Sequence, residues 1–271
     1  MIIDGKQIAD EIKESLRKSL QTSGKKPAIG IVQAGESEVS TRFIRQKQAF
    51  ADDIGITVNL LVLPKGIATE ELRGRVLEAC RENDGVIVQL PLPVHIDSRS
   101  VLDAIPREKD VDILSSAAVG RFVIGIEDVF PPVAGAVREI LGRCGVDPAG
   151  KNAVVVGAGE LVGKPSAVWL INRGATVSVL TEKTSDISKY AKGADIIVSG
   201  VGKPGLISRD MIKNGAIVID AGTSVKDNRL LGDVDPLAGE RASFITPVPG
   251  GVGPITVAMV FRNLLELNSI H

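Results

Sequence analysis

The stretch that decides the fold is NAVVVGAGELVGKPSAVWLINRG, residues 152–174. Small β-branched residues lead into a loop with three glycines, and a segment of helical periodicity follows, which is the order of a strand, a turn and a helix. Gly157, Gly159 and Gly163 have no Cβ, so backbone N–H groups and the helix N-terminus can approach a pyrophosphate. The spacing is one residue longer than the usual dinucleotide fingerprint. A nucleotide-binding loop and a plain strand-to-helix turn are therefore both compatible with these residues alone.

Segments on both sides of this stretch alternate between short apolar runs and amphipathic runs, which indicates parallel sheets covered by helices. We expect an α/β protein of two domains around a cleft: an N-terminal parallel-sheet domain, residues 1–138 plus 254–271, and a Rossmann-type domain, residues 139–253. The final helical run, 253–270, is expected to pack back on the first domain. Predicted strands cover 27–35, 57–64, 84–93, 152–157, 176–180, 194–202 and 215–222, and the other predicted helices cover 5–20, 42–55, 69–83, 132–145, 166–174 and 187–192.

The composition narrows the class of partner and of chemistry. The chain has 32 basic and 33 acidic residues, a formal net charge of −1, so we expect a small-molecule partner and neither nucleic acid nor a membrane surface. The histidines are His95 and His271, which argues against a His-based triad or a zinc site. Cys80 and Cys144 show no metal or redox spacing. With no signal-like or membrane-length apolar run, we expect a soluble cytoplasmic protein without a bound metal.

Four stretches occur in a specific order: VQLPLP at 88–93, KDVD at 109–112, GAGELVGKP at 157–165 and TPVPGGVGPIT at 246–256. Together they resemble the methylenetetrahydrofolate dehydrogenase/cyclohydrolase family over nearly the whole chain. The resemblance implies that the first domain binds folate and catalyses the reaction, and that the second binds NAD or NADP. It implies oxidation of 5,10-methylenetetrahydrofolate to 5,10-methenyltetrahydrofolate and then hydrolysis to 10-formyltetrahydrofolate, in the one-carbon metabolism that serves purine biosynthesis. A homodimer is also implied.

The same resemblance assigns the catalytic residues. Lys47, at the end of TRFIRQK, matches the family's acid/base group, Gln89 lies beside it, and Asp112 binds the pterin ring. A lysine amine in water has a pKa near ~10.4, so proton transfer at neutral pH requires burial or a nearby cation. An amide can hydrogen-bond the amine without adding negative charge, and a carboxylate suits the adjacent N–H donors of a pterin. A solvated lysine and a backbone-bonded glutamine are the alternatives, and Asp110 is expected to be a capping carboxylate.

The binding residues follow in the same way. A carboxylate at Glu182, at the end of a predicted strand, can accept from an adenosine ribose 2′-OH and would repel a 2′-phosphate. Glu182 and Ala158, where many relatives carry Arg, favour NAD over NADP, although Glu182 beside Lys183 also fits a solvated loop. The predicted substrate-binding residues are Phe43, Val88, Leu90, Pro249, Gly250, Gly251 and Val252, and the predicted cofactor-binding residues are Gly157, Ala158, Gly159, Gly163, Glu182 and Thr223.

Three departures from the family pattern concern the pterin side. Phe43 replaces a tyrosine, which removes a hydroxyl and puts the cyclohydrolase step in question. Ile113 and Leu114 replace Gly-Phe after KDVD, so we expect the turn to be reshaped. FPPVAG at 130–135 replaces Pro-Cys-Thr-Pro. The alternatives are a dehydrogenase without the second activity, an enzyme acting on a different reduced pterin, and a non-catalytic folate- or nucleotide-binding paralogue.

Overall fold

A computed structural model describes residues 1–126, 129–226 and 229–270, without the side chains of Glu38, Val39 and Lys226. His271 lies outside the described residues. The chain divides into two units. The three-stranded unit comprises Asp10–Pro132 and Val257–His271, and the five-stranded unit comprises Met1–Ala9 and Val133–Thr256.

The secondary structure follows the predicted alternation of strands and helices. The described strands are β1 Ala28–Ala34, β2 Thr57–Leu63, β3 Gly85–Val88, β4 Asn152–Val156, β5 Thr176–Leu180, β6 Ile196–Ser199, β7 Ile217–Asp220, β8 Ser224–Lys226, β9 Arg229–Leu231 and β10 Phe244–Ile245. The described helices are α1 Gly5–Ser23, α2 Glu38–Ile54, α3 Thr69–Glu82, α4 Ser98–Leu102, α5 Ser116–Val123, α6 Pro132–Arg143, α7 Gly163–Asn172, α8 Ser188–Ala191 and α9 Val252–Leu267, with short 3-10 helices at Arg107–Lys109, Arg209–Met211 and Pro236–Glu240. No helix in the described ranges is long and apolar enough to cross a membrane.

The three-stranded unit is built on a parallel sheet of order β2-β1-β3. Val32 of β1 pairs with Leu61 of β2 on one side and with Val88 of β3 on the other. β1 is the central strand, and the side chains of Ile29 and Ile31 are fully buried in it. A parallel sheet buried on both faces needs such a continuous apolar run, which is the pattern that predicted it.

Helix α2 carries the first candidate residues of the site. Ser37 accepts the N–H of Ser40 at 3.1 Å, and the Ser40 hydroxyl accepts the N–H of Ser37 at 3.2 Å, which forms a capping box. Because of this cap, the helix begins at Glu38 rather than at the predicted Arg42. It ends as predicted at Gly55, whose φ of 81° is left-handed.

The five-stranded unit is built on a parallel sheet of order β10-β7-β6-β4-β5. β4 pairs with β5 on one side and with β6 on the other, so the strand order reverses direction at β4. In open α/β sheets, ligands bind outside the carboxyl ends of the strands at such a switch point. β8 and β9 form a separate antiparallel hairpin.

The unit boundaries differ from the predicted domain boundaries at the N-terminus. Met1 donates its amine to the carbonyl of Ser243 at 2.5 Å, and Ile3 N–H donates to the carbonyl of Ile245 at 2.9 Å. These bonds attach residues 1–9 to β10 of the five-stranded unit, whereas the prediction placed them in the first domain. Residues 133–138, which are part of the continuous helix α6, also belong to the five-stranded unit.

Helix α9, Val252–Leu267, covers most of the apolar run 253–270 that was predicted to be helical. Residues from Val257 onward belong to the three-stranded unit. Phe261 of α9 is fully buried and stacks on Phe50 of α2, with ring centroids 5.0 Å apart and planes 12° apart. The part of α9 from Val257 onward therefore packs on α2 of the three-stranded unit, and the first turn of the helix belongs to the five-stranded unit.

Candidate functional site

The centre of the candidate site in the three-stranded unit is a lysine paired with an amide. Lys47 lies in the middle of α2, and Gln89 directly follows β3. The Lys47 amine donates to Gln89 Oε1 at 3.2 Å. Gln89 is held from two sides, because its backbone N–H donates to the carbonyl of Val32 at 2.8 Å and its side-chain Nε2 donates to the carbonyl of Leu90 at 2.9 Å. These bonds leave the amide oxygen facing the amine.

Asp112 is the carboxyl group near this pair. Its residue is half-buried, and burial raises the pKa of the Asp112 carboxyl above the ordinary value of 3.8. The positive charge of Lys47 acts in the opposite direction and is the weaker influence. Lys47, Gln89 and Asp112, which the sequence places far apart, therefore lie in one neighbourhood of one unit. The assignment of catalytic roles to them remains a prediction.

Asp110 has the capping role that the sequence suggested. It is fully buried, and its Oδ2 accepts the backbone N–H groups of Leu114 at 3.0 Å and of Ser115 at 2.7 Å. Burial raises the pKa of Asp110, and the bonds from Ser115 oppose that effect. The carboxylate closes the turn that follows KDVD, so it holds the backbone on which Asp112 stands.

The turn after Asp112 contains a residue with an unusual backbone conformation. Ile113 has φ of 55°, a left-handed conformation that glycine adopts readily and that a β-branched residue rarely adopts. Its side chain is buried. Isoleucine therefore adopts a backbone conformation that suits glycine, and the predicted reshaping of this turn relative to the family stays a prediction. The buried side chain and the Asp110 cap on Leu114 and Ser115 stabilise this backbone conformation.

A residue of α9 joins the KDVD segment to FPPVAG, one of the segments in which this chain departs from the family pattern. Asn263 is buried and donates from Nδ2 to the carbonyls of Val111 and Phe130, both at 2.8 Å. Phe130, the first residue of FPPVAG, also packs edge-on against Phe122 at a centroid distance of 6.2 Å. Asn263 could not be predicted from the sequence, because an asparagine in an apolar helix gives no sign of its distant partners.

The predicted substrate-binding residues differ in accessibility. Phe43 is 37% exposed and lies one turn before Lys47 on α2, so its ring is available to a ligand. Leu90 is half-buried. Val88 is 1% exposed and belongs to the core, so its side chain is not available and the prediction for it is limited to its backbone.

The loop from 246 to 252 lies in the five-stranded unit. Its backbone approaches α1 closely, because a Cβ on Gly5 would collide with the carbonyl of Gly251. Gly250 has φ of 99°, which requires glycine. Pro249 is exposed, Gly250 is half-buried, and Gly251 and Val252 are buried. The accessible part of this loop is therefore the stretch from Pro247 to Gly250, with Pro249 the most exposed.

The three glycines of the loop after β4 have different roles. Gly157 has φ of 105°, and a Cβ on Gly163 would collide with the carbonyl of Gly157, so these two are required by the turn itself. A Cβ on Gly159 would meet no atom of the described residues within 4 Å. Helix α7 begins at Gly163, earlier than predicted, after Val162, whose side chain cannot cap it. The free space at Gly159 and the uncapped helix start suit an anion.

The remaining cofactor candidates lie at the same sheet edge. Ala158 follows β4 and is half-buried, Glu182 follows β5 and is exposed, and Thr223 follows β7 and is exposed. Because β4, β5 and β7 are parallel, their carboxyl ends share one edge of the sheet. The turn that carries Glu182 is closed by Thr181 N–H donating to the Thr184 hydroxyl at 3.0 Å.

Comparison with known proteins identifies the family. Residues 3–112 match the model of the tetrahydrofolate dehydrogenase/cyclohydrolase catalytic domain, and residues 131–271 match the NAD(P)-binding domain of the same family. The chain belongs to the tetrahydrofolate dehydrogenase/cyclohydrolase family. The predicted family and the two-domain α/β class are therefore confirmed, as is the predicted class of enzyme, an NAD(P)-dependent methylenetetrahydrofolate dehydrogenase and cyclohydrolase.

Individual members of the family match along nearly the full length. The bifunctional protein FolD of Moorella thermoacetica is 42% identical over 98% of this chain and 97% of its own length. The FolD structure from Campylobacter jejuni is 35% identical with a TM-score of 0.95, covering 99% of this chain and 98% of that one. The Trypanosoma brucei FolD structure, complexed with NADP cofactor and inhibitor, is 37% identical with a TM-score of 0.95, covering 99% and 97%.

Proposed function

We propose that this protein oxidises 5,10-methylenetetrahydrofolate with NAD(P) and hydrolyses the resulting 5,10-methenyltetrahydrofolate to 10-formyltetrahydrofolate. The observation that carries the proposal is the Lys47 amine donating to Gln89 Oε1 at 3.2 Å, beside the carboxyl of Asp112. An amine, an amide and a carboxyl in one neighbourhood supply proton transfer, orientation and recognition without a metal. The glycine loop after β4 supplies the nucleotide site in the other unit.

Each residue has a distinct role in this proposal. Lys47 transfers the proton when water adds to the methenyl carbon and the ring opens, and Gln89 orients the amine without adding charge. Asp112 accepts from the N–H donors of the pterin edge, and Phe43 stacks on the substrate rings. The nicotinamide, when bound, supplies the hydride acceptor. For the dehydrogenase step the protein positions the folate, and the loops after β4 and β6 position the nucleotide.

We infer a preference for NAD from Glu182. Its carboxylate is exposed at the carboxyl end of β5, where it can accept from an adenosine ribose hydroxyl and repel a 2′-phosphate. Ala158 in the glycine loop adds no cation that would attract that phosphate. A homodimer, a cytoplasmic location and catalysis without a metal complete the proposal. Among the described residues, no group of three or more His, Cys, Asp and Glu side chains is arranged to hold a metal ion.

The test uses purified protein, 5,10-methylenetetrahydrofolate and either NAD or NADP, with reduced nicotinamide and methenyl product recorded separately. Reduction with NAD and no lasting methenyl signal is the expected result. Reduction with accumulating methenyl product would instead indicate a dehydrogenase that lacks the second activity, as Phe43 suggests. Absence of reduction with either nucleotide would contradict the proposal and favour a different reduced pterin or a binding role.

A further inference from the structure

Two buried carboxylates lie beneath the carboxyl edge of the five-stranded sheet. Asp220 is the last residue of β7 and 3% exposed, and Asp233 follows β9 and is fully buried. A buried carboxylate is costly unless backbone or side-chain donors satisfy it. The donors that these two carboxylates bind come from three separate loops.

Asp233 forms hydrogen bonds with the end of β6 and with the loop that follows it. Its Oδ2 accepts from the Ser199 hydroxyl at 2.7 Å and from the N–H of Val201 at 2.8 Å, and its Oδ1 accepts from the N–H of Lys203 at 2.7 Å. One side chain therefore binds three alternate residues of the segment 199–203. Val201 itself is 42% exposed, so the segment reaches the surface while its backbone is held from below.

Asp220 binds the loop after β7 and the segment that follows β9. Its Oδ1 accepts the N–H of Gly222 and its Oδ2 accepts the N–H of Val234, both at 2.9 Å. The packing is reciprocal, because a Cβ on Gly222 would collide with the carboxyl of Asp233 and a Cβ on Gly232 would collide with that of Asp220. The loop that carries Thr223 therefore packs directly against Asp233.

The segment held by Asp233 also supports the glycine loop. A Cβ on Gly200 would collide with Val162, and a Cβ on Gly157 would lie 2.7 Å from the Val201 side chain. The loop after β4 and the loop after β6 are thus in direct contact at the switch point of the sheet. A shift of the segment 199–203 moves one wall of the space that the proposed function gives to the nucleotide.

We propose that Asp233 is a positioning residue for the nicotinamide nucleotide: it holds the loops after β6 and β7 in the relative placement that the glycine loop needs to bind the cofactor. The inference rests on the proposed function for the identity of the ligand. Asp233 lies beneath the loops and acts through them, so its loss affects nucleotide binding and leaves the folate residues of the other unit unchanged.

The experiment compares Asp233→Asn with wild type in two activities. The amide replaces an acceptor by a donor that faces N–H and O–H groups, so the loops must move. We expect the Kd for NAD or NADP, measured by calorimetric titration, and the corresponding KM to rise tenfold or more. The methenyl cyclohydrolase reaction uses no nucleotide, and we expect its kcat and KM to stay within twofold of wild type.

Asp235→Asn is the matched control. Asp235 lies two residues further on and accepts the N–H of Leu237 at 2.9 Å at the start of a 3-10 helix. The same chemical change there should leave the nucleotide Kd within twofold of wild type. If Asp233→Asn does not fold, Ser199→Ala removes one of the three donors, and a Kd two- to fivefold above wild type is expected.

A folded Asp233→Asn protein with the wild-type Kd would overturn the proposal, as would an unchanged Kd in Ser199→Ala when Asp233→Asn does not fold. A lower melting temperature with an unchanged Kd would show a purely structural role and would also overturn it. Failure of the proposed function can be told apart from failure of the Asp233 proposal, because the wild-type protein would then reduce neither NAD nor NADP. Wild-type turnover combined with an unchanged variant Kd counts against Asp233 alone.

Discussion

The Lys47 amine donates to the Gln89 amide oxygen at 3.2 Å, across 42 residues of sequence, and both residues belong to the three-stranded unit. The amide is fixed by the backbone of the adjacent strand and by Leu90, so the amine meets an oriented acceptor. Such a pair supports proton transfer better than a free surface lysine does, because its geometry is set before the substrate arrives.

Replacing Lys47 by methionine removes the amine and keeps the length of the side chain. We expect the cyclohydrolase kcat to fall by about 100-fold or more, as is typical for loss of a general acid/base group. The control is Lys18→Met on the exposed face of α1, which should leave both activities unchanged. The measurement is the rate of methenyl disappearance, corrected for the uncatalysed rate. An unaltered rate in Lys47→Met would remove this residue from the mechanism.

Replacing Glu182 by serine tests the ribose contact. The serine hydroxyl can still hydrogen-bond a ribose, but the charge that repels a 2′-phosphate is lost. We expect the ratio of kcat/KM for NAD to kcat/KM for NADP to fall by about tenfold, which corresponds to about 1.4 kcal/mol. The neighbouring Lys183→Ser should move the ratio in the opposite direction or not at all. A ratio that Glu182→Ser does not change would refute the contact.

Substitutions at Ile113 separate packing from backbone conformation. Ile113→Ala loses buried packing at a cost of about 2–5 kcal/mol and keeps the left-handed strain. Ile113→Gly loses the same packing, but glycine adopts a φ of 55° without the penalty of about 1–2 kcal/mol that a Cβ brings. We therefore expect Ile113→Gly to be at least as stable as Ile113→Ala in urea unfolding. At an ordinary φ the order would be reversed, so a clearly less stable glycine variant would contradict the left-handed conformation.

The pH dependence of stability reports on Asp220. Burial raises the pKa of this carboxyl from 3.8 to about 6, the charge of Asp233 adds to the effect, and the N–H bonds from Val234 and Gly222 oppose it. Between these two pH values the folded state binds more protons than the unfolded state, so stability falls as the pH rises from about 4 to about 6. The raised pKa of Asp220 therefore makes the free energy of unfolding on the order of 3 kcal/mol lower at and above about pH 6 than it is well below pH 4.

The measurement for Asp220 is a pair of urea unfolding series from pH 4 to pH 7. Asp220→Asn cannot titrate at this position, so the stability of wild type minus that of the variant should decrease up to about pH 6 and then level off. A difference that is constant across the range would show that Asp220 is ionised throughout in the folded state.

The parts of the fold that could be predicted from the sequence are those with long apolar runs. β1 and β4 are almost entirely buried and apolar, with Gln33 in β1 and Asn152 at the start of β4 as their polar residues, and the periodicity of α2 and α9 is equally clear. β10 was missed because it has two residues, and its pairing with β7 and with the N-terminal residues comes from tertiary structure. Short elements such as α5 were missed for the same reason, since local propensity is weak over one or two turns.

The candidate site could be predicted to a similar extent. Lys47, Gln89 and Asp112 were found because their motifs resemble those of a family, and the structure brings them into one neighbourhood. Asp233 was missed because the donors that it binds lie up to 34 residues earlier in the chain, beyond the β8–β9 hairpin. The left-handed Ile113 could not be foreseen, because nothing in residue type indicates a positive φ for isoleucine.

The division of the chain between the two units sets an order on biosynthesis. Residues 1–9 are made more than 230 residues before β10, to which Met1 and Ile3 are bonded. The three-stranded unit in turn depends on α9, because Phe261 stacks on Phe50 in its core and Asn263 donates to the carbonyl of Val111 in KDVD. The five-stranded sheet is therefore complete only after β10 has been made, and the core of the three-stranded unit only after α9 has been made.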